Sequence, residues 1–165
     1  MTLRGLRVRL VAVAPEHHAR LDELRREPGV RRWWQDPEDD RLAEEPDVVR
    51  YTVLLDGEVI GLAQWYEETD PMYRHAGLDL FLDPAVHGRG LGTETVRVLC
   101  AHLIDDHGFH RLVIDPEVEN EVAIASYRKV GFRPVGVMRR YQRDRFGVWQ
   151  DGLLLDLLAD EFVRA

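Results

Sequence analysis

The feature that most restricts this chain is the stretch Asp83-Pro-Ala-Val-His-Gly-Arg-Gly-Leu-Gly-Thr93, in which Gly88, Gly90 and Gly92 alternate with larger residues. It joins a β-rich run, Gly77–Asp83, to a helical run from about Gly92 to His107. In that helix Val96, Leu99, Cys100 and Leu103 fall at i, i+3, i+4 and i+7, the stripe of a helix packed on a core. Gly108 follows, where a left-handed cap is commonly needed. A strand that feeds a helix through glycines can turn several backbone N–H groups inward, beside the partial positive charge of the helix N-terminus. That combination suits a bound pyrophosphate; an ordinary tight turn is the other reading. Two familiar phosphate loops do not fit. The Walker pattern needs Gly-Lys-Ser/Thr where this chain has Gly-Leu-Gly-Thr, and the dinucleotide fingerprint needs a third glycine where the chain has Thr93 or Thr95.

The flanking sequence predicts the layers around this loop. Leu6, Val8 and Leu10 alternate with Arg7 and Arg9, as in a half-buried strand. Pro15 opens a helix through about Arg26, and residues 28–47 read as irregular or shortly helical. Asp36–Asp47 holds seven acids and one Arg, which predicts solvated surface. Arg50–Leu55 and Glu58–Tyr66 are strands joined by an Asp56-Gly57 hairpin turn, and Glu67–Ala76 is a polar loop. A strand at Arg111–Asp115, a helix at Asn120–Val130 and strands at Val135–Gln142 and Val148–Leu158 complete a mixed α/β or α+β layer. The length suits one domain over residues 1–165.

Charge narrows the partners. Thirty acids against 22 bases give a net charge of −8. That disfavours nucleic acid and an anionic membrane surface, and favours a cationic molecule. No apolar stretch approaches the ~20 residues of a bilayer span, and the N-terminus lacks the form of a signal peptide, so a cytoplasmic location is expected. The single cysteine, Cys100, cannot form an intramolecular disulfide. No metal is expected: His102 and His107 are five apart and predicted on different helix faces.

A second block, Asp115-Pro-Glu-Val-Glu-Asn120, leads to Ala123-Ile124 and Tyr127-Arg-Lys-Val-Gly-Phe132. Steps of three and four put Asn120, Ala123 and Tyr127 on one helix face. A small Ala there lets a ligand approach a phenol; alternatively Asn120 is an N-cap and Tyr127 a core aromatic. Together with the glycine loop, this block resembles the GCN5-related N-acetyltransferases (GNAT), whose x-x-G-x-G motif grips the diphosphate of coenzyme A. His87 stands where that family usually has Gln or Arg. Within it the chain is most similar to aminoglycoside 6'-N-acetyltransferases, from Val30 to about Gly136. Trp33-Trp34 followed by acids, Asp56-Gly-Glu-Val-Ile-Gly-Leu-Ala-Gln64, Glu67-Glu-Thr-Asp-Pro71, Gly77-Leu-Asp79 and Ile114-Asp-Pro116 carry the likeness. The loop between Gln64 and Glu67 is shorter here, and the hairpin with Trp149-Gln-Asp151 has no counterpart, which leaves substrate range open.

The resemblance implies an acyl-CoA N-acyltransferase fold, α/β in class, with a central mixed, mostly antiparallel sheet flanked by helices. It implies acetyl-CoA as cosubstrate, held by Phe81, Leu82, His87, Gly88, Arg89, Gly90, Leu91, Gly92, Thr93 and Asn120. Asp70, Asp79 and Asp115 can converge where ligands gather at strand ends, and carboxylates there suit ammonium groups; a merely acidic surface is the plain alternative. Trp34, Gln64 and Tyr66 offer apolar walls and a hydrogen-bonding edge, although Trp34 also reads as core. A primary amine is expected to attack the thioester directly. Asp79 is the candidate base, either directly, through water, or only by positioning, since an ordinary Asp has a pKa of about 3.9. Asp70 and Asp115 are candidates for orienting the amine, and Tyr127 is the candidate acid for the departing thiolate. The expected substrate is a cationic small molecule, in first place an aminoglycoside 6'-amine, with antibiotic resistance as the implied role. A protein, peptide or siderophore-related amine, and a non-catalytic acyl-CoA-binding module, are the alternatives. The expected state is monomer or homodimer.

Overall fold

The computed structural model describes residues 1–34 and 45–165, so most of the acidic Asp36–Asp47 segment lies outside the described residues. The strands are β1 (Thr2–Arg4), β2 (Val8–Ala12), β3 (Val48–Leu55), β4 (Glu58–Glu68), β5 (His75–Leu82), β6 (Arg111–Ile114), β7 (Arg133–Arg143) and β8 (Trp149–Leu158). The helices are α1 (Pro15–Arg26), α2 (Pro28–Arg31), α3 (Leu91–Asp105) and α4 (Glu121–Val130). One sheet runs β1-β2-β3-β4-β5-β6-β8-β7, antiparallel throughout except for the β5–β6 pair. This is the mixed, mostly antiparallel sheet with flanking helices that the sequence implies.

The local chemistry explains the turns. Asp56 and Gly57 both take positive φ, +50° and +84°, as a twist-matched two-residue hairpin requires. The N-terminal strand differs from expectation. Leu6 is 93% exposed, because the chain folds back at Gly5–Arg7 and adds β1 as a further edge strand. A Cβ on Gly5 would lie 2.7 Å from Glu94 Oε1, so the turn sits tight against α3. The alternation therefore starts at Val8, and Leu6 is the tip of a turn.

Alternation along the strands separates two cores. On one face Val8, Leu10, Val53, Ala63, Ala76 and Leu78 pack with Val96, Leu99, Cys100 and Leu103 of α3 and with Val130 of α4. On the other, Leu62 and Phe81 meet Leu21, Leu24 and Val30 of α1 and α2. Cys100 is fully buried, and burial pushes its thiol far above the usual range, so it is an inert part of the stripe. His102 and His107 do come together, with their Nε2 atoms 3.2 Å apart, because α3 ends at Asp105 and His107 is off the helix. Asp106 takes the other nitrogen of His102 at 2.6 Å. Among the described residues no helix is long and apolar enough to cross a membrane.

Candidate active site

The site grows from β5. Its residues pair with β4 along their whole length, Glu68↔His75 to Gly61↔Leu82, but with β6 only at Ala76↔Leu112 and Gly77↔Val113. Beyond Gly77 the two parallel strands part. No described strand meets Leu78–Leu82 on that side, so the main chain there can hydrogen-bond an extended ligand. Phe81 and Leu82 lie in this stretch. Their side chains are buried in opposite cores, leaving the backbone as what they can offer.

The glycine loop stands at the end of the same strand. Gly88 and Gly90 adopt φ of +76° and +75°, and Gly90 is the N-cap of α3, with no side chain capping the helix. A Cβ on Gly88 would meet nothing within 4 Å, and one on Gly92 only Leu82 Cδ1 at 3.9 Å. Packing does not require glycine at position 92; open space lies over the first turn of α3. Leu91 is buried, whereas His87 and Arg89 are exposed and Thr93 is half-buried. His87 Nε2 donates to the Leu82 carbonyl at 3.1 Å, which fixes that nitrogen as the protonated one. The Arg89 carbonyl accepts from Arg7 Nη1 at 2.9 Å, and Glu94 binds Arg7 Nε at 2.9 Å. Burial would raise Glu94, but the N–H groups of Arg7 and Val8 and the Arg7 guanidinium hold it below the usual range. Its charge is thus answered by the β1–β2 turn. Asn120 caps α4, with Oδ1 accepting from Ala123 N at 3.4 Å.

Asp79 lies at the mouth of the fork, opposite Gln64 in register, with Asp115 immediately after β6. The phenol end of Tyr66 lies over Gly77, where a Cβ would overlap its Cζ and hydroxyl. Tyr127 is buried and reaches the fork from α4, on the other face. Tyr141, from β7, crosses β8 at Gly152, where a Cβ would lie 3.1 Å from Tyr141 Cδ2. Its hydroxyl donates to Asp115 Oδ2 at 2.5 Å.

These groups share one electrostatic field. Burial raises Asp79 to about 7; the Asp115 charge adds to the rise and the Gln64 amide opposes it. Burial also raises Asp115, against the Tyr141 hydrogen bond. Tyr66 is pushed up to about 12 by burial and then by the two carboxylates. Tyr127 is raised for the same reasons, and Tyr141 is raised first through its bond to Asp115. At neutral pH the arrangement offers one carboxylate poised to take a proton and three phenols that stay protonated as donors.

Of the remaining residues singled out in the sequence, Trp34 packs edge-on against Phe81 with centroids 4.9 Å apart. It is on the α1–α2 face, which the alternation of β4 and β5 also gives to Gln64 and Asp79. Asp70 is not brought to the fork: it is exposed in the β4–β5 loop, where its carboxylate accepts from Met72 N at 2.9 Å. Three contributors escaped the sequence reading. Arg50 donates to Gln64 Oε1 at 2.9 Å. Tyr141 was read only as part of a strand, though a glycine in mid-strand, Gly152, is the signal for a crossing ring. Arg32 binds the buried Glu117 at 3.1 Å and Glu119 at 2.9 Å, fastening the end of α2 to the β6–α4 loop.

A forked parallel strand pair, with a glycine loop and an uncapped helix at one end and paired carboxylates at its mouth, makes a site that can hold an extended phosphate-bearing ligand beside acidic groups. The acetyltransferase (GNAT) family model matches residues 17–132, more than two thirds of the chain, and the chain belongs to that family. It is 39% identical over 109 residues to an aminoglycoside N(6')-acetyltransferase type 1 of Klebsiella pneumoniae, covering 59% of this chain and 53% of that protein. A spermidine N(1)-acetyltransferase of Escherichia coli (strain K12) is 30% identical over 121 residues, covering 65% of this chain and 62% of the relative. Among solved structures, AAC(6')-Ib in complex with ribostamycin and coenzyme A superimposes with a TM-score of 0.78 at 26% identity, over 96% of this chain and 98% of that one. The chain spans about half the length of the curated aminoglycoside acetyltransferase it matches.

Proposed function

We propose that this chain transfers the acetyl group of acetyl-CoA to a primary amine of a cationic small molecule, an aminoglycoside 6'-amine in first place. The observation that carries the reading is the fork itself: an unpaired edge of β5 running from the glycine loop to Asp79 and Asp115. The residues fit a coenzyme A diphosphate, because the space over Gly88 and Gly92 is what a Cβ would fill. Backbone N–H groups from Gly88 to Thr93 would hold the phosphates, with Arg89 and Asn120 at the rim and His87 bracing the loop on Leu82. Phe81 and Leu82 would offer their main chain to the pantetheine arm.

When bound, the thioester supplies an activated acetyl carbon. Asp79 then accepts the proton that a primary aminium must lose before its nitrogen can form the new C–N bond. Its raised affinity narrows the mismatch with an amine and makes proton acceptance near neutral pH reasonable. Asp115, held by Tyr141, orients the ammonium group, and Tyr66, Gln64 and Trp34 would contact the rest of the substrate. Attack leaves a second proton on the nitrogen. As the C–S bond breaks, Tyr127, whose buried phenol is fully protonated at neutral pH, gives its proton to the thiolate and regains one from that nitrogen, so amide and free thiol leave with the first proton on Asp79 for return to solvent.

A polyamine is the second reading, favoured by the likeness to the spermidine acetyltransferase and by the same paired carboxylates. Release of free thiol from acetyl-CoA, measured against a panel of aminoglycosides and polyamines, tests both. Turnover with a 6'-amine aminoglycoside supports the first reading and turnover with spermidine alone supports the second. Acetyl-CoA binding with no thiol release on any amine overturns both.

A further inference from the structure

Arg50, Gln64 and Asp79 stand abreast on three neighbouring strands, in the registers Arg50↔Gln64 and Gln64↔Asp79. Arg50 is on β3, and only 11% of its side chain is exposed. Its Nε donates to Gln64 Oε1 at 2.9 Å and its Nη2 to Glu45 at 3.1 Å. A guanidinium has five donors and no acceptor, whereas a glutamine amide has one end of each kind. Arg50 can therefore engage only the amide oxygen, and it does. With the oxygen turned toward β3, the NH2 end is left toward Asp79.

We propose that Arg50 is a positioning residue that fixes the orientation of the Gln64 amide, so that Asp79 faces a donor and not an acceptor. This rests on Asp79 serving as the base in the reading above. The donor end favours the carboxylate form of Asp79; a flipped amide would set a carbonyl oxygen against it and favour the protonated form. Asp79 is also faced by Tyr66 from β4, Asp115 after β6, Tyr127 from α4 and Tyr141 from β7. None of these touches Gln64 Oε1, so Arg50 acts on a handle that the other groups do not reach. Glu45 answers part of the Arg50 charge, which makes the orientation of the amide, and not the distant positive charge, the main effect.

The test is a carbon-detected NMR titration of the Asp79 carboxyl in the free protein, run on the wild type, Arg50→Met, Arg50→Lys and Gln64→Leu, and on Arg50→Met combined with Gln64→Leu. Arg50→Met is expected to increase the proton affinity of Asp79 by about tenfold, the scale of one hydrogen bond to a charged group. Arg50→Lys, still a pure donor, is expected to stay near the wild type. In the Gln64→Leu background, removing Arg50 should change nothing further. An unmoved Asp79 in Arg50→Met overturns the proposal. So does an equal shift in the Gln64→Leu background, which would mean that charge alone acts. If Arg50→Met does not fold, Arg50→Gln, which can turn an acceptor as well as a donor to the Gln64 amide, takes its place: an Asp79 shifted upward supports the proposal and an unshifted one overturns it. Because the readout needs no substrate, failure of acetyl transfer and failure of this assignment are separate results.

Discussion

The two edges of β5 have opposite fates. Along its β4 edge the strand is paired from end to end; along its β6 edge it is paired at two positions and then free. The paired edge holds Gln64 and Tyr66 against Asp79 and Gly77 with ladder accuracy, and Gln64 is itself backed by Arg50 from β3. The free edge opens onto Asp115 and the buried Tyr127. A single strand thus carries a rigid reference on one side and a binding edge on the other. The carboxylate proposed as the base can be held firmly while the main chain beside it stays available to a ligand.

Neutralising Asp79 tests the binding edge most severely. Asp79→Asn is expected to lower kcat/KM for acetyl transfer by about a hundredfold or more, the usual loss of a general base. The wild-type rate should rise with pH through an apparent value near 7, because the carboxylate must be ionised to act. Stability should move the other way. Asp79 binds its proton more tightly in the folded chain than the ordinary value of 3.8, so its contribution is fully present below about pH 4 and is lost as pH rises through about 7. At pH 8 the asparagine variant should therefore melt a few degrees higher than the wild type, and equal or lower melting would count against a desolvated Asp79. Gly92→Val comes next. With nothing nearer than 3.9 Å to an added Cβ, it should fold with little change in Tm yet bind coenzyme A at least tenfold more weakly by calorimetry. Unchanged affinity would make the glycine loop a mere turn.

The difference between the edges also explains what could be read in advance. The strand and helix periods, the Asp56-Gly57 turn and the α3 stripe are local, and they appear in the fold nearly where the pattern puts them. Leu6 misled because alternation continues across a tight turn without a break in the sequence. The placements of Asp79, Asp115 and Tyr127 near one another follow from the order of elements and the resemblance. The Arg50–Gln64–Asp79 rank depends on the register of three strands, and the reach of Tyr141 over Gly152 depends on a strand at the far end of the sheet. Neither register nor reach is written in any short window. Asp70 shows the reverse: a residue prominent in the sequence motif turns its carboxylate back onto its own loop.

Smaller effects probe how the two sides of the fork cooperate. Tyr127→Phe keeps the ring in the core and removes only the hydroxyl, so kcat should fall by about tenfold with little change in stability or in KM. A drop in Tm with unaltered kcat would make Tyr127 a packing residue.

Tyr141→Phe should have the mildest effect, and pH gives it a signature. The phenol donates to Asp115 and opposes the rise that burial imposes on that carboxyl. Without the hydroxyl, Asp115 holds its proton to a higher pH. At acidic pH more of the variant then lacks the carboxylate that attracts the ammonium group, and KM for the amine should rise roughly threefold, a partly exposed hydrogen bond to a charge. At alkaline pH Asp115 is ionised in both proteins and the two KM values should converge. A KM difference that stays constant across pH would mean that the ring of Tyr141 contacts the substrate directly, and that the far edge of the sheet acts by packing and not through Asp115.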